Sequence, residues 1–178
     1  AYRAVRNRGT IGGSLSLGDP SAEWLSTMIA LRATVGWRGP QGAASSPASE
    51  FVSGAYTTKL DIADVVTDVV IPKLPADARW GFFKVCRKTG EYAKAMAVAV
   101  RARGASAIVL GATGGAPLLL AQTTALLDRM TAWDAASEPA LLEAFDTDLA
   151  TSGRKFSDVY IWQSRACVIR AGKRTFHA

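Results

Sequence analysis

Hydrophobic spacing divides the chain into two unlike halves. In the first, Trp24, Met28 and Leu31 recur at helical spacing with Leu25 and Ile29 beside them. This predicts a helix from Asp19-Pro20 to about Ala33, with Asp19 as N-cap and Pro20 in the first helical position. Residues 34–38 follow as a strand and Gly39-Pro40-Gln41-Gly42 as a turn. Residues 43–50 are small and polar, a hairpin return with little regular structure. The β-branched run 65–71 reads as a strand stopped by Pro72. In the second half, residues 80–88, 92–101 and 106–113 are separated by turn signals and predict a three-stranded antiparallel meander. Residues 117–130, 138–149 and 157–176 read as helices, with Ser137-Glu138-Pro139 and Ser157-Asp158 as starts. Pro72 and Pro75 set the boundary between residues 1–75 and 76–178. Strands followed by helices make an α+β class, helices on one face of the sheet. Residues 1–19 show neither period and are expected as loop or short strand.

Composition narrows the chemistry. Of 178 residues 49% are hydrophobic, enough for a real core, yet no apolar run approaches the ~18–20 residues of a membrane span. No charged-then-apolar leader is visible at the first residues, and Cys86 and Cys167 make no disulfide framework, so a reducing, cytoplasmic setting is the expectation. With His177 as the single histidine, a His/Cys metal site or a nucleophile–His pair is hard to build. Iron–sulfur ligation needs about four thiolates. Chemistry here therefore belongs to a cofactor. The net charge of +6 invites a nucleic-acid reading, but no nucleic-acid motif supports it and an anionic cofactor accounts for it as well.

One segment concentrates candidate chemistry: Arg6-Asn7-Arg8-Gly9-Thr10-Ile11-Gly12-Gly13-Ser14, then Gly18-Asp19-Pro20. Adjacent glycines let a phosphate approach the backbone amides, with Thr10 and Ser14 hydroxyls alongside and a positive field from Arg6 and Arg8. The same glycines also fit a plain turn. The segment is neither a Walker loop nor a dinucleotide fingerprint, since no Gly-Lys-Ser/Thr and no third glycine follow.

Four strings in order change this picture. The glycine segment resembles the second FAD motif of the flavoprotein (medium) subunit of molybdenum hydroxylases, the group of carbon monoxide dehydrogenase and xanthine dehydrogenase. Phe51-Val52-Ser53-Gly54-Ala55-Tyr56-Thr57-Thr58, Asp64-Val65-Val66-Thr67-Asp68-Val69-Val70-Ile71-Pro72 and Lys84-Val85-Cys86-Arg87-Lys88-Thr89-Gly90-Glu91-Tyr92-Ala93 are similar to further segments of that family. The resemblance implies that residues 1–75 are the second part of a vanillyl-alcohol-oxidase (PCMH)-type FAD-binding domain. Residues 76–178 are then a small domain with a three-stranded antiparallel sheet and a helical bundle. It also implies a preceding subdomain with a first diphosphate loop, which has no counterpart here; a fragment, or a separate chain supplying that half, is the expectation.

The resemblance assigns roles residue by residue. Thr10, Ile11, Gly12, Gly13 and Ser14 face the FAD diphosphate, Ser14 standing where family members often carry Asn. Glu23 accepts hydrogen bonds from flavin or ribityl groups with Asp19 close by; capping by Asp19 and dipole complementarity by Glu23 are the plain alternatives. Val66 lies beside the isoalloxazine or is an ordinary strand residue. Lys84 is a cation near the flavin or an exposed strand lysine. Tyr92 covers the ring from the start of a strand, or is a core tyrosine. Trp80, Phe82, Phe83, Trp133 and Trp162 read as core and packing residues, and the glycines of residues 111–117 as structural.

The implied function is that of an FAD-binding subunit of a molybdenum hydroxylase. Its partners are a molybdopterin-binding large subunit, which holds the molybdenum cofactor, and a small subunit with two [2Fe–2S] clusters. Electrons leave through FAD to NAD, a quinone or oxygen. A non-catalytic assembly remnant that does not bind FAD alone, and more distantly a basic nucleic-acid-binding module, are the alternatives.

Overall fold

The structure is a computed structural model that describes residues 2–176, so His177 lies outside the described residues. The elements run α1 (Arg3–Arg8), α2 (Ile11–Leu17), α3 (Glu23–Ala30), β1 (Thr34–Gly39), β2 (Gly42–Pro47), α4 (Ala48–Phe51), β3 (Val52–Gly54), β4 (Thr57–Thr58), β5 (Val65–Val70), β6 (Arg79–Val85), β7 (Ala95–Arg101), β8 (Ala107–Gly111), β9 (Leu118–Leu119), α5 (Ala121–Arg129), α6 (Ser137–Thr151) and α7 (Asp158–Arg174). All strand pairs are antiparallel, in sheets ordered β2-β1-β5, β3-β4 and β6-β7-β8-β9. The α+β class is as the sequence predicts. The meander gains a short fourth strand because Leu118 and Leu119 pair with Leu110 and Val109 before α5 begins.

Two expectations change at the N-terminal end. The glycine segment is not a loop: Gly12 and Gly13 lie in the first turn of α2. The Thr10 hydroxyl accepts the Gly13 amide at 2.9 Å, and Gly18 closes the helix in the left-handed region at φ 64°. A threonine N-cap and a glycine C-cap define a helix that hydrophobic period alone does not reveal over seven residues. The next helix starts at Glu23, not Pro20. Asp19 Oδ1 accepts the Ser21 amide at 2.8 Å and Asp19 O accepts the Ala22 amide, so Asp19 builds a turn ahead of α3 rather than capping it. That turn is tied to the end of β8 by the Ala112 amide donating to Pro20 O. Residues 43–50, expected as an irregular return, form β2 in register with β1 and then α4.

The β6–β9 sheet is covered on both faces, so β7 and β8 read as near-continuous apolar runs. Ala95, Ala97, Ala99, Ile108 and Leu110 face the helices α5–α7, where Leu127, Leu141, Phe145 and Val168 fill the core. Val98, Val100 and Val109 face the other way and join Leu25, Met28 and Ile29 of α3. Along β6, Phe82 packs with the α3 side and Phe83 with the α7 side. Trp80, expected in the core, is 71% exposed at the start of this edge strand, and Trp162 is 72% exposed on α7. Trp133 does pack, 5.9 Å from the Phe176 ring centre.

The loop after β8 is held by Arg154. Arg154 donates to Ala116 O at 2.7 Å and Thr113 O at 3.0 Å. Asp148 of α6 does similar work for α5: its carboxylate accepts the amides of Gln122 and Thr123 at 2.9 Å and the Thr123 hydroxyl at 2.7 Å. Asp148 is buried. Asp148→Ala orphans these three donors and is expected to cost about 2–3 kcal/mol, lowering the melting midpoint by roughly 5–10 °C. Thermal unfolding followed by circular dichroism checks this.

The two cysteines are both free but differ in surroundings. Cys167 is buried on α7, and that burial raises its thiol to about 12. Because the thiolate is the reactive form, native protein at pH 8 is expected to alkylate at Cys86 and not at Cys167, with both sites labelled after denaturation. Peptide mass mapping reads the two sites separately.

Candidate functional site

The capped end of α2 leaves specific donors open. Gly13 N–H is taken by Thr10 Oγ1 and Ser14 N–H by Thr10 O at 3.1 Å. The Ile11 and Gly12 amides have no hydrogen-bond partner among the described residues, as expected for the first two positions of a helix. With Gly13 and Ser14 N–H taken, those two amides at the helix start are donors available to an anion. Arg6 and Arg8 close the preceding α1. Gly12 lies on β5: a Cβ built there would touch Val66 Cγ1 at 3.6 Å. The fold thus brings Gly12, in the first turn of α2, against Val66, across more than fifty residues of sequence.

A second group forms where α3 meets β6. Glu23, the first residue of α3, ion-pairs through Oε1 with Lys84 Nζ. Strand alternation explains the encounter, since residues 80, 82 and 84 share the face of β6 turned toward α3. Lys84 also donates to Glu91 O at 3.4 Å. Arg87 donates to Glu91 Oε1 at 2.7 Å and, chiefly through that hydrogen bond, holds the Glu91 carboxyl below its usual range. Glu91 Oε2 is sheltered and has no partner among the described residues. Gly90 adopts φ 89°, and the Tyr2 ring lies against it. Tyr92 follows in coil, three residues before β7 begins at Ala95, so it does not stand on a strand end. Tyr92 is 68% exposed, which removes the core-tyrosine alternative. Asp19 sits in the turn between α2 and α3, buried, with Oδ2 lacking a partner among the described residues. Lys84 is not a plain surface lysine, because its side chain is mostly buried and doubly engaged.

Tyr2, Arg87 and Glu91 belong to this neighbourhood and were not singled out by the sequence. The Arg87/Glu91 spacing of four and the glycine between them were the available signals. As a set, the residues fit an anionic dinucleotide: two open amides at a helix start, an uncovered aromatic ring, a cation, and an orphaned acceptor in Glu91 Oε2.

Comparison with known proteins agrees with that fit. Residues 1–74 match the family described as FAD binding domain in molybdopterin dehydrogenase. That match covers 74 of the 178 residues. The chain is related to the FAD-binding medium subunits of the molybdenum hydroxylases. It is 36% identical over 118 residues to the nicotine 6-hydroxylase medium subunit of Paenarthrobacter nicotinovorans, covering 65% of this chain and 41% of that one. It is 37% identical over 119 residues to the carbon monoxide dehydrogenase medium chain of Hydrogenophaga pseudoflava, covering 65% and 42%. Among solved structures, carbon monoxide dehydrogenase from Hydrogenophaga pseudoflava superposes with a TM-score of 0.85 at 28% identity over 98% of this chain and 63% of that chain. Quinoline 2-oxidoreductase from Pseudomonas putida 86 gives 0.81 at 30% identity over 99% and 65%. The chain thus spans about two fifths of the length of the curated relatives it matches. Among the described residues no helix is long and apolar enough to cross a membrane.

Proposed function

We propose that this chain holds the FAD of a molybdenum hydroxylase. It would do so beside a large subunit carrying the molybdenum cofactor and a small subunit carrying [2Fe–2S] clusters. One observation carries the reading: the open Ile11 and Gly12 amides and the uncovered Tyr92 ring occur in a chain whose first half matches an FAD-binding domain. When bound, the flavin supplies the redox chemistry, collecting electrons from the clusters and passing them to NAD, a quinone or oxygen.

The chain's own residues bind and orient. Ile11 and Gly12 donate their amides to the diphosphate, helped by the positive end of α2, while Thr10 fixes that end and Ser14 adds a hydroxyl. Gly13 keeps the approach free of a side chain and holds the Thr10 cap through its amide. Asp19 Oδ2 and Glu23 Oε2 accept from ribityl hydroxyls. Val66 lies beside the ring system behind Gly12. Lys84 places a fixed cation where added negative charge is stabilised. Tyr92 lies over the ring and excludes water. No acid, base or nucleophile is required of these residues.

Co-purification with the native partners and a visible spectrum test this reading. Bands near ~450 nm that bleach on dithionite, with molybdenum and iron in the same assembly, are the expected result. A colourless assembly favours the non-catalytic alternative.

A further inference from the structure

We infer that Glu23 is a positioning residue: it acts through Lys84 on the turn of residues 88–91 and so sets the aim of Tyr92. The hold on the turn stands without a ligand; only its consequence for the flavin rests on the function proposed above.

Tyr92 makes no hydrogen bond or ring contact among the described residues, and most of the residue is exposed. Its direction is therefore set by its backbone, fixed beyond it by the buried Ala93 and by Lys94 N–H donating to Val85 O at 2.7 Å, and ahead of it by the turn of residues 88–91. That turn has few anchors. Glu91 N–H donates to Lys88 O at 3.2 Å, and Arg87 grips the Glu91 carboxylate. Both contacts lie inside the segment and would travel with it. Tyr2, just ahead of α1, lies against Gly90. Ahead of Tyr92 the side-chain link to the folded core is Lys84, whose ammonium bridges Glu91 O and the carboxylate of Glu23. Glu23 begins α3, and α3 is fixed by Leu25, Met28 and Ile29 packed against β7 and β8. A cation alone could swing with its four-carbon stem; paired with a carboxylate on a packed helix, it is pinned. Lys84 is also the more sheltered partner, so water competes less for it than for an ordinary surface pair.

Amide hydrogen exchange on the full chain, without flavin, tests the hold. Glu23→Gln keeps an acceptor oxygen but removes the charge, Lys84→Met removes the cation, and Lys84→Arg keeps it. The first two are expected to speed exchange of the hydrogen-bonded Glu91 amide by about three- to fivefold, and the double variant no further, since both break one link. Lys84→Arg retains slow exchange. In the flavin-loaded assembly the same two variants raise flavin emission as Tyr92 leaves the ring. Unchanged exchange in both single variants overturns the inference. So does loss of flavin by Glu23→Gln with the turn still protected, which makes Glu23 a direct flavin contact alone. A wild-type assembly without flavin overturns the function proposed above but leaves the exchange result standing.

Discussion

Gly12→Asp is expected to strip flavin from the assembly while leaving the fold intact. The substitution places a carboxylate at the second position of α2, beside the amides assigned to the diphosphate. At about 4 Å and an effective dielectric near 20, one such repulsion is on the order of 4 kcal/mol, so retention falls by roughly a hundredfold or more. The helix itself tolerates the change. An acidic residue in the first turn complements the helix dipole by about 0.3–1 kcal/mol, and a Cβ at Gly12 makes only ordinary contact with Val66. Flavin per protein, from the visible spectrum of purified assembly, and the melting midpoint of the flavin-free chain separate the two effects. Loss of flavin with an unchanged midpoint is the expected pair. Equal loss of both assigns Gly12 to folding.

Gly81→Val is expected to be the most disruptive single change in the second half. Gly81 of β6 lies directly under α7, and a Cβ there would be driven into the Ala171 carbonyl oxygen, with the carbonyl carbon and Arg174 Cβ each 2.9 Å away. The obstacle is main chain, so no side-chain rotation relieves it. Strand and helix must part, which also loosens Phe83 and Val168 in the core beneath. About 3–5 kcal/mol is the expected cost, or roughly 10–15 °C in melting midpoint for a chain of this size. Gly54→Ala is the control: its Cβ meets only Thr57, at 3.7 Å, and a near-neutral effect is expected. A Gly81→Val protein that melts with wild type would mean α7 does not sit where described.

How far the sequence reached depended on the length of each signal. β7 and β8 are buried on both faces and ran as apolar stretches between turn residues, so the meander was legible, as was β5 with its proline stop. The region around Gly12-Gly13 was not. A seven-residue helix carries less than two turns of period, and two glycines argue against helix by propensity; Thr10 and Gly18, a cap at each end, decided the matter locally. Asp19-Pro20 had the chemistry of a helix start, but the Asp19 carboxylate reaches Ser21 and closes a turn first. Trp80 on its strand reads as core and Trp162 on its helix as packing, yet both stand out into solvent at more than 70% exposure.

The candidate site shows the same division. Ordered motifs made Thr10–Ser14, Asp19, Glu23, Val66, Lys84 and Tyr92 visible as a set. What a linear reading could not supply was who meets whom. Gly12 against Val66, and Glu23 against Lys84, are separated by 54 and 61 positions and depend on how α2 lies on β5 and α3 on the sheet that β6 edges. The unshared oxygen of Glu91 is likewise a property of packing, since only the fold shelters it.

The account rests on two backbone amides at the start of α2 holding a dinucleotide. Its most direct test is the structure of the assembly purified with its flavin. The expected result is a diphosphate oxygen about 2.7–3.2 Å from the Ile11 and Gly12 nitrogens, with the Tyr92 ring over the isoalloxazine. A bound flavin whose diphosphate lies beyond hydrogen-bonding reach of both amides would contradict it.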